Sequence, residues 1–201
     1  MSRPFLLGLS GSIGMGKSTT AAMFADFGLP VWDADAAVHR LYAPGGAGVS
    51  AVAALCPGAV GPEGVDRARL KDWLAQTPGG LAKLEAAVHP LVAEDRLAFI
   101  ARAAEAGADI VVLDVPLLFE TGADAHCDAT VVVTVPPQLQ RARVLARPGM
   151  TDETFEVLLA RQMPDAEKRA RAGHVIETFT PEGARAAVVA LIDHIRESQN
   201  A

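Results

Sequence analysis

Apolar and polar positions divide this chain into short, continuous apolar runs and longer stretches in which apolar residues recur every three or four positions. The first run, Phe5-Leu6-Leu7-Gly8-Leu9-Ser10, stops in Gly11-Ser12-Ile13-Gly14-Met15-Gly16, the pattern of a buried strand opening into a glycine loop. Beyond Lys17-Ser18, the residues Ala21, Ala22, Phe24, Ala25 and Phe27 form one apolar stripe that ends at Gly28 with Pro30 behind it. That predicts a helix with a glycine stop. Val31-Trp32-Asp33 reads as a second short strand, 110–115 as a third and 129–135 as a fourth. The last two are continuous and rich in β-branched residues, as expected where a sheet is covered on both faces. A weaker fifth strand is predicted over 174–177, and a closing amphipathic helix over 184–197.

Between Asp33 and Ile110 lie 76 residues with almost no strand signal, far more than the roughly dozen that a parallel crossover needs. A helical insert is therefore expected to interrupt the sheet. Leu70, Trp73 and Leu74 follow a possible cap at Asp66; Leu81, Leu84 and Val88 follow Gly79-Gly80; a further helix over 91–106 ends at Gly107, with His89-Pro90 between the last two. A second helical, charge-rich stretch spans 138–172, broken at Pro148-Gly149 and near Pro164. Strands alternating with helices predict an α/β fold with a five-stranded parallel sheet. The core is expected to comprise 1–34, 108–137 and 173–201, with the insert over 35–107.

A length of 201 residues fits one globular domain with an embedded subdomain. Lys and Arg number 18 against 24 Asp and Glu, a net charge of -6. That disfavours a general nucleic-acid binder, whose affinity rests on a basic surface. The two cysteines, Cys56 and Cys127, make neither a disulfide scaffold nor a zinc module, and fit buried thiols in a reducing compartment. No uncharged apolar run reaches the roughly 18 residues of a membrane helix. A signal peptide is also excluded, because the polar, glycine-rich segment with Lys17 stands where its apolar region would have to continue. A cytoplasmic protein with no membrane partner is the expectation.

Gly11-Ser12-Ile13-Gly14-Met15-Gly16-Lys17-Ser18 satisfies G-x-x-x-x-G-K-[ST], with a strand before it and a helix after it. Glycines let successive backbone N–H groups point into one concavity, and the helix start adds unsatisfied donors and a positive dipole end. Residues 11–19, through Thr19, are thus the expected polyphosphate cradle. Lys17 can reach the β- and γ-phosphates of ATP, and the Ser18 hydroxyl can ligate Mg²⁺. A guanine-specific switch needs an Asn-Lys-x-Asp type base reader, and the one Asn is Asn200 in the tail. A motor ATPase normally needs more chain, whereas a small kinase needs a phosphate loop, an acceptor pocket and a cationic lid.

Each has candidates. Asp33-Ala34-Asp35 ends the second strand, at the carboxyl edge where open α/β sheets bind ligands. Asp33 can orient an acceptor hydroxyl or take its proton, while Asp35 can cap a helix starting near Ala36 or bind substrate. Asp114 ends the third strand, the expected place for a carboxylate that holds a magnesium-bound water. Residues 141–171 carry seven cationic against five acidic side chains, a local net of +2. Arg143 and Arg147, four apart, would share a helix face and could close over the phosphates. His89 is a cap, core or ligand candidate, and the remaining histidines show no metal spacing.

Taken together, G-L-S-G-S-I-G-M-G-K-S, D-A-D with His39-Arg40, Val88-His89-Pro90-Leu91, D-x-P-L-L-F-E at Asp114 to Glu120, Gln140 with Arg143 and Arg147, and Arg161-Gln162-Met163-Pro164 with Lys168 resemble the dephospho-CoA kinase family. The resemblance covers about residues 5 to 176. It implies a three-layer P-loop kinase fold with a helical substrate domain and a lid over 138–172. The implied reaction is ATP-dependent phosphorylation of the ribose 3'-hydroxyl of dephospho-CoA. Carried over by position, Lys17 and Ser18 serve phosphate and Mg²⁺, Asp33 is the base, Asp35, His89 and Leu117 lie on the acceptor side, and Arg143 and Arg147 belong to the lid. Small molecules, and no obligate protein partner, are implied. The chain departs from the family pattern at Ala172-Gly173-His174 and at Glu177-Thr178-Phe179-Thr180, the loop near the adenine. Two alternatives stay open: a P-loop kinase of another small hydroxyl or nucleotide acceptor, and a non-catalytic ATP-dependent switch.

Overall fold

The structure is a computed structural model describing residues 3–200. Its elements alternate as the apolar pattern demands. Strand β1 (Phe5–Ser10) leads to helix α1 (Lys17–Asp26), then to β2 (Val31–Asp33). Helices α2 (Ala34–Tyr42), α3 (Ala47–Leu55), α4 (Arg67–Gln76) and α5 (Gly80–Glu105) precede β5 (Ile110–Asp114), with the short strands β3 (Val60–Gly61) and β4 (Gly64–Val65) between α3 and α4. Strand β6 (Ala129–Thr134) is followed by α6 (Pro137–Leu145), α7 (Asp152–Ala160) and α8 (Asp165–Arg171), and the chain closes with β7 (His174–Glu177) and α9 (Pro181–Gln199).

The main sheet has the order β2-β5-β1-β6-β7. Pairing of β1 with β5, β1 with β6 and β6 with β7 is parallel, with Leu9 opposite Asp114 and Ser10 opposite Val132. Successive residues of β6 face opposite layers, because side chains alternate along a strand. Val131 and Val133 join Phe24 of α1 and Val188 and Ile192 of α9 in one cluster. Val132 joins Leu118 and Phe119 in another, with Met163 packed against it. The sheet is therefore a layer with apolar packing on both faces, which is why its inner strands read as unbroken apolar runs.

The chain forms two compact units, one of residues 1–32 with 103–201 and one of residues 33–102. In the second, Val52, Cys56, Ala59, Leu70, Leu84 and Val88 form a separate small core. Asp66 caps α4, accepting from the N–H groups of Ala68 and Arg69 at 3.0 and 3.1 Å.

Three sequence expectations need correction. The insert holds an antiparallel β3-β4 ladder, with Val60 opposite Val65. Pro62 and Glu63 make the turn, and two-residue strands are too short to show period-two alternation. His89 and Pro90 do not separate two helices: α5 runs unbroken with Pro90 inside it. Proline removes one rung of the hydrogen-bond ladder, but His89 and Pro90 are exposed while Leu84 and Val88 are buried, so packing on one face carries the helix through. Finally, α2 starts at Ala34 and its cap is Asp33, with Asp35 in the first turn.

Candidate active site

The phosphate loop joins β1 to α1. Gly16 caps α1 at φ 90° and Gly14 stands at φ 78°, a left-handed backbone that side chains with a Cβ resist. Space forbids a Cβ as well: one at Gly14 would lie 2.5 Å from Val144 Cγ2, and one at Gly16 2.9 Å from Thr178 Oγ1. Lys17, Ser18 and Thr19 form the first turn of α1, where N–H groups have no intrahelical partner. No acidic residue occupies that turn, so the helix end keeps its attraction for anions.

The loop is held from behind by side chains far away in sequence. Ile13 N–H donates to Gln162 Oε1 at 3.0 Å, and Gln140 Nε2 donates to Ile13 O at 2.8 Å. Met15 N–H turns back to Ser12 O at 3.1 Å, its sulfur accepts from Val135 N–H at 3.2 Å, and its carbonyl accepts from Thr178 Oγ1 at 2.7 Å.

Lys17 Nζ lies 2.5 Å from Asp114 Oδ1, with the two side chains 16% and 4% exposed. Asp114 is the last residue of β5 and Lys17 the first of α1, so the sheet edge brings together a cation and a carboxylate 97 residues apart. Ser18 is exposed at the helix start. Its hydroxyl and the Asp114 carboxylate are hard oxygen donors, the type that magnesium prefers. Among the described residues no cluster of three His, Cys, Asp or Glu side chains could hold a metal by itself.

A cavity of about 320 Å³ opens beside the loop, lined by Gly14, Gly16, Thr19, Arg143, Arg147 and Thr178 among others. Arg143 donates to the carbonyls of Thr178 and Phe179 at 2.7 and 3.4 Å and to Thr178 Oγ1 at 3.2 Å. Its guanidinium thus braces the 177–180 segment. Arg147 stands beyond the last residue of α6, Leu145, so the two arginines do not share a helix face; the chain turns at Ala146 and both still line the cavity.

Residues 161–171 are fixed by a second set of contacts. Lys168 is fully buried, and its Nζ lies 2.8 Å from Oε1 of Glu120, which also accepts from Met163 N–H at 2.8 Å. Burial raises the pKa of the Glu120 carboxyl, but the Lys168 ammonium beside it and the Met163 N–H outweigh that and hold the group below its ordinary value. Thr134 Oγ1 donates to Asp165 Oδ2 at 2.9 Å. Further ion pairs join Arg141 to Asp152, Arg169 to Asp165 and Arg171 to Asp124. Leu117, between Asp114 and Glu120, is exposed, and its carbonyl accepts from Thr121.

Asp33, Asp35 and His89 belong to the other compact unit. Asp33 Oδ1 accepts from Ala36 N–H at 2.9 Å, which orients the carboxylate at the end of β2. His89 is exposed on α5, nearly two turns before Asp95, which pairs with Arg40 of α2 at 2.7 Å.

The residues that sequence reasoning left without a role are Glu120, Gln140, Gln162, Lys168 and Thr178. Four of these stand in the motifs quoted above, but spacing alone does not tell which backbone group a side chain will reach. Thr178 falls in the divergent 177–180 segment, where no pattern marks it.

The dephospho-CoA kinase (CoaE) family matches residues 5–180 of the chain. The dephospho-CoA kinase of Cereibacter sphaeroides is 64% identical over 199 residues, spanning 99% of this chain and 100% of that protein. That of Jannaschia sp. is 58% identical over 193 residues, 96% of this chain and 98% of the relative. Among solved structures, TT1252 from Thermus thermophilus superposes with a TM-score of 0.83 at 34% identity, covering 95% of this chain and 97% of that one. A dephospho-CoA kinase from Campylobacter jejuni shares the fold, with a TM-score of 0.66 at 19% identity over 96% and 98% of the two chains. With its phosphate loop, strand-end carboxylate and adjoining cavity, and with relatives matched over nearly its whole length, this chain belongs to the dephospho-CoA kinase family.

Proposed function

We propose that the protein transfers the γ-phosphoryl group of ATP to the ribose 3'-hydroxyl of 3'-dephospho-CoA, releasing ADP and CoA as in the last step of coenzyme A biosynthesis. The observation that carries this reading is the loop at 11–18, wrapped around the start of α1 with Lys17 held on Asp114 beside a cavity. Membership of the dephospho-CoA kinase family supports the acceptor.

Phosphoryl transfer through a loose transition state asks the protein mainly for positioning and charge stabilisation. The N–H groups at the start of α1 bind the phosphate chain through backbone donors alone. Lys17 has three N–H donors, so one can remain on Asp114 while others meet the β- and γ-phosphoryl oxygens. The cavity takes the nucleoside, with the segment braced by Arg143 as one wall, and Arg147 adds a positive charge at its edge. Residues 138–172 act as the lid and 35–107 as the acceptor domain.

Asp33 faces the acceptor. Its Oδ1 is anchored by Ala36 N–H, so the carboxylate has a fixed direction in which to orient the 3'-hydroxyl and take its proton as the new O–P bond forms and the bond to ADP breaks. Asp35 and His89 contribute to acceptor binding, and so does the exposed Leu117. Ser18 and Asp114 would hold Mg²⁺, a hard cation that keeps several waters and takes the rest of its shell from phosphates, so it does not require a cluster of three protein ligands. That ion would neutralise charge on the β- and γ-oxygens.

A coupled ADP assay with dephospho-CoA tests the reading. ADP release that depends on dephospho-CoA, and yields CoA, is the expected result. Turnover only with another acceptor, such as a nucleoside monophosphate, or none with any acceptor, would overturn it.

A further inference from the structure

The peptide of Ile13 is gripped on both sides. Its N–H donates to Gln162 Oε1 at 3.0 Å and its C=O accepts from Gln140 Nε2 at 2.8 Å. Gln140 lies in α6 and is 4% exposed; Gln162 lies just before α8. Two primary amides that arrive from 127 and 149 residues away thus satisfy both polar groups of one residue in the phosphate loop.

The grip on Gln162 is itself fixed. Its own N–H donates to Leu159 O at 3.0 Å, and the next N–H, of Met163, donates to Glu120 at 2.8 Å. Glu120 meets the buried Lys168 on the following helix. The segment that carries Gln162 is therefore tied to the chain just after Asp114, while its side chain is tied to the loop around Lys17.

From this we infer that Gln140 and Gln162 are positioning residues for the phosphate loop. They turn the Ile13 N–H away from the phosphates, leaving the donors at the start of α1 to define the cradle, and they make that cradle depend on where residues 159–168 sit. An N–H aimed at Gln162 cannot at the same time donate to a phosphate, so releasing it would let the loop rotate and lose its preset concavity. The catalytic part of the inference rests on the reading that this loop holds ATP; the clamp itself rests on geometry alone.

The test uses the full chain and two readouts. Native-state hydrogen exchange at the Ile13 amide, followed by NMR, reports the clamp without reference to activity. In Gln162→Leu, which removes the acceptor, exchange at Ile13 should accelerate about tenfold or more, as expected for losing a partly buried hydrogen bond. Gln162→Glu keeps an acceptor oxygen and should restore protection. In steady-state assays Gln162→Leu should raise KM for ATP about five- to tenfold, with KM for dephospho-CoA within about twofold of the wild type. Gln140→Leu should behave likewise, and if its buried site prevents folding, the Gln162 pair decides alone. Unchanged Ile13 exchange in Gln162→Leu, or an equal rise in both KM values, would overturn the inference. If dephospho-CoA is not the acceptor, the exchange result still tests the clamp, so the two failures can be told apart.

Discussion

The Nζ of Lys168, with no exposed side-chain surface, lies 2.8 Å from Oε1 of Glu120. The pair joins α8 to the end of the D-x-P-L-L-F-E segment and sits beside the second apolar layer of Leu118, Phe119 and Val132. A buried ion pair gains little over an apolar replacement, but removing one partner leaves an uncompensated charge. Glu120→Gln or Lys168→Met should each lower stability by about 3 kcal/mol or more. The double variant should be destabilised by less than the sum, as urea unfolding of all four proteins would reveal.

The same carboxyl sets an acid limit. With its pKa held below the ordinary 4.5, Glu120 contributes stability that is fully present above that value and is lost as the pH falls through the folded pKa. Glu120→Gln should therefore flatten the fall in unfolding free energy below about pH 4.5. An unchanged acid slope in the variant would contradict this.

His174 gives a second pH signature, nearer neutrality. Its ring meets that of His194 edge-on, with centroids 5.6 Å apart. Burial and then the neighbouring imidazole lower its pKa from 6.5. Between the folded and unfolded values the unfolded chain binds more protons, so stability is highest above pH 6.5 and declines as the pH drops from there. Thermal melts from pH 7.5 to 5 should show that decline in the wild type and a smaller one in His174→Gln.

Gly16→Ala tests the cradle. The new methyl would have to tolerate φ 90° and sit 2.9 Å from Thr178 Oγ1. Left-handed strain alone costs about 1–2 kcal/mol, and relief would twist the loop away from its phosphate donors. Calorimetric titration with ATP should show affinity reduced at least about tenfold, the equivalent of 1.4 kcal/mol.

Lys17→Met should lower kcat about 10²–10³-fold, the range seen when one donor to a developing charge is removed. It also removes the ammonium 2.5 Å from the Asp114 carboxylate, whose side chain is only 4% exposed. Adding Asp114→Asn to Lys17→Met should therefore recover stability without recovering turnover, which unfolding and rate measurements on the pair would check.

What the sequence disclosed, and what it hid, divides along the range of the interactions. The strands at 110–114 and 129–134 were legible because a buried parallel strand must be apolar on both faces. The phosphate loop was legible because its glycines and Lys17 act through local backbone geometry. The β3-β4 ladder escaped because it is two residues wide, and the continuity of α5 escaped because Pro90 breaks the ladder without breaking the packing of Leu84 and Val88. The contacts of Gln140, Gln162 and Thr178 to loop backbone were hidden for a different reason: each spans more than 120 residues and ends on a peptide group, which has no side-chain identity to match.

The ion pairs of residues 141–171 alter what a charge count means for the arrival of a polyanion. Arg141, Lys168, Arg169 and Arg171 are each neutralised by an acidic partner, and Arg143 is bound to carbonyls. Of the seven cations there, Arg147 and Arg161 are the two that form no ion pair or side-chain hydrogen bond among the described residues. A nucleotide approaching a chain of net charge -6 is thus drawn by a narrow source of positive potential rather than a broad basic face. Capture should accordingly respond to ionic strength as a process governed by one or two charges, with Arg147 at the cavity rim setting most of that response.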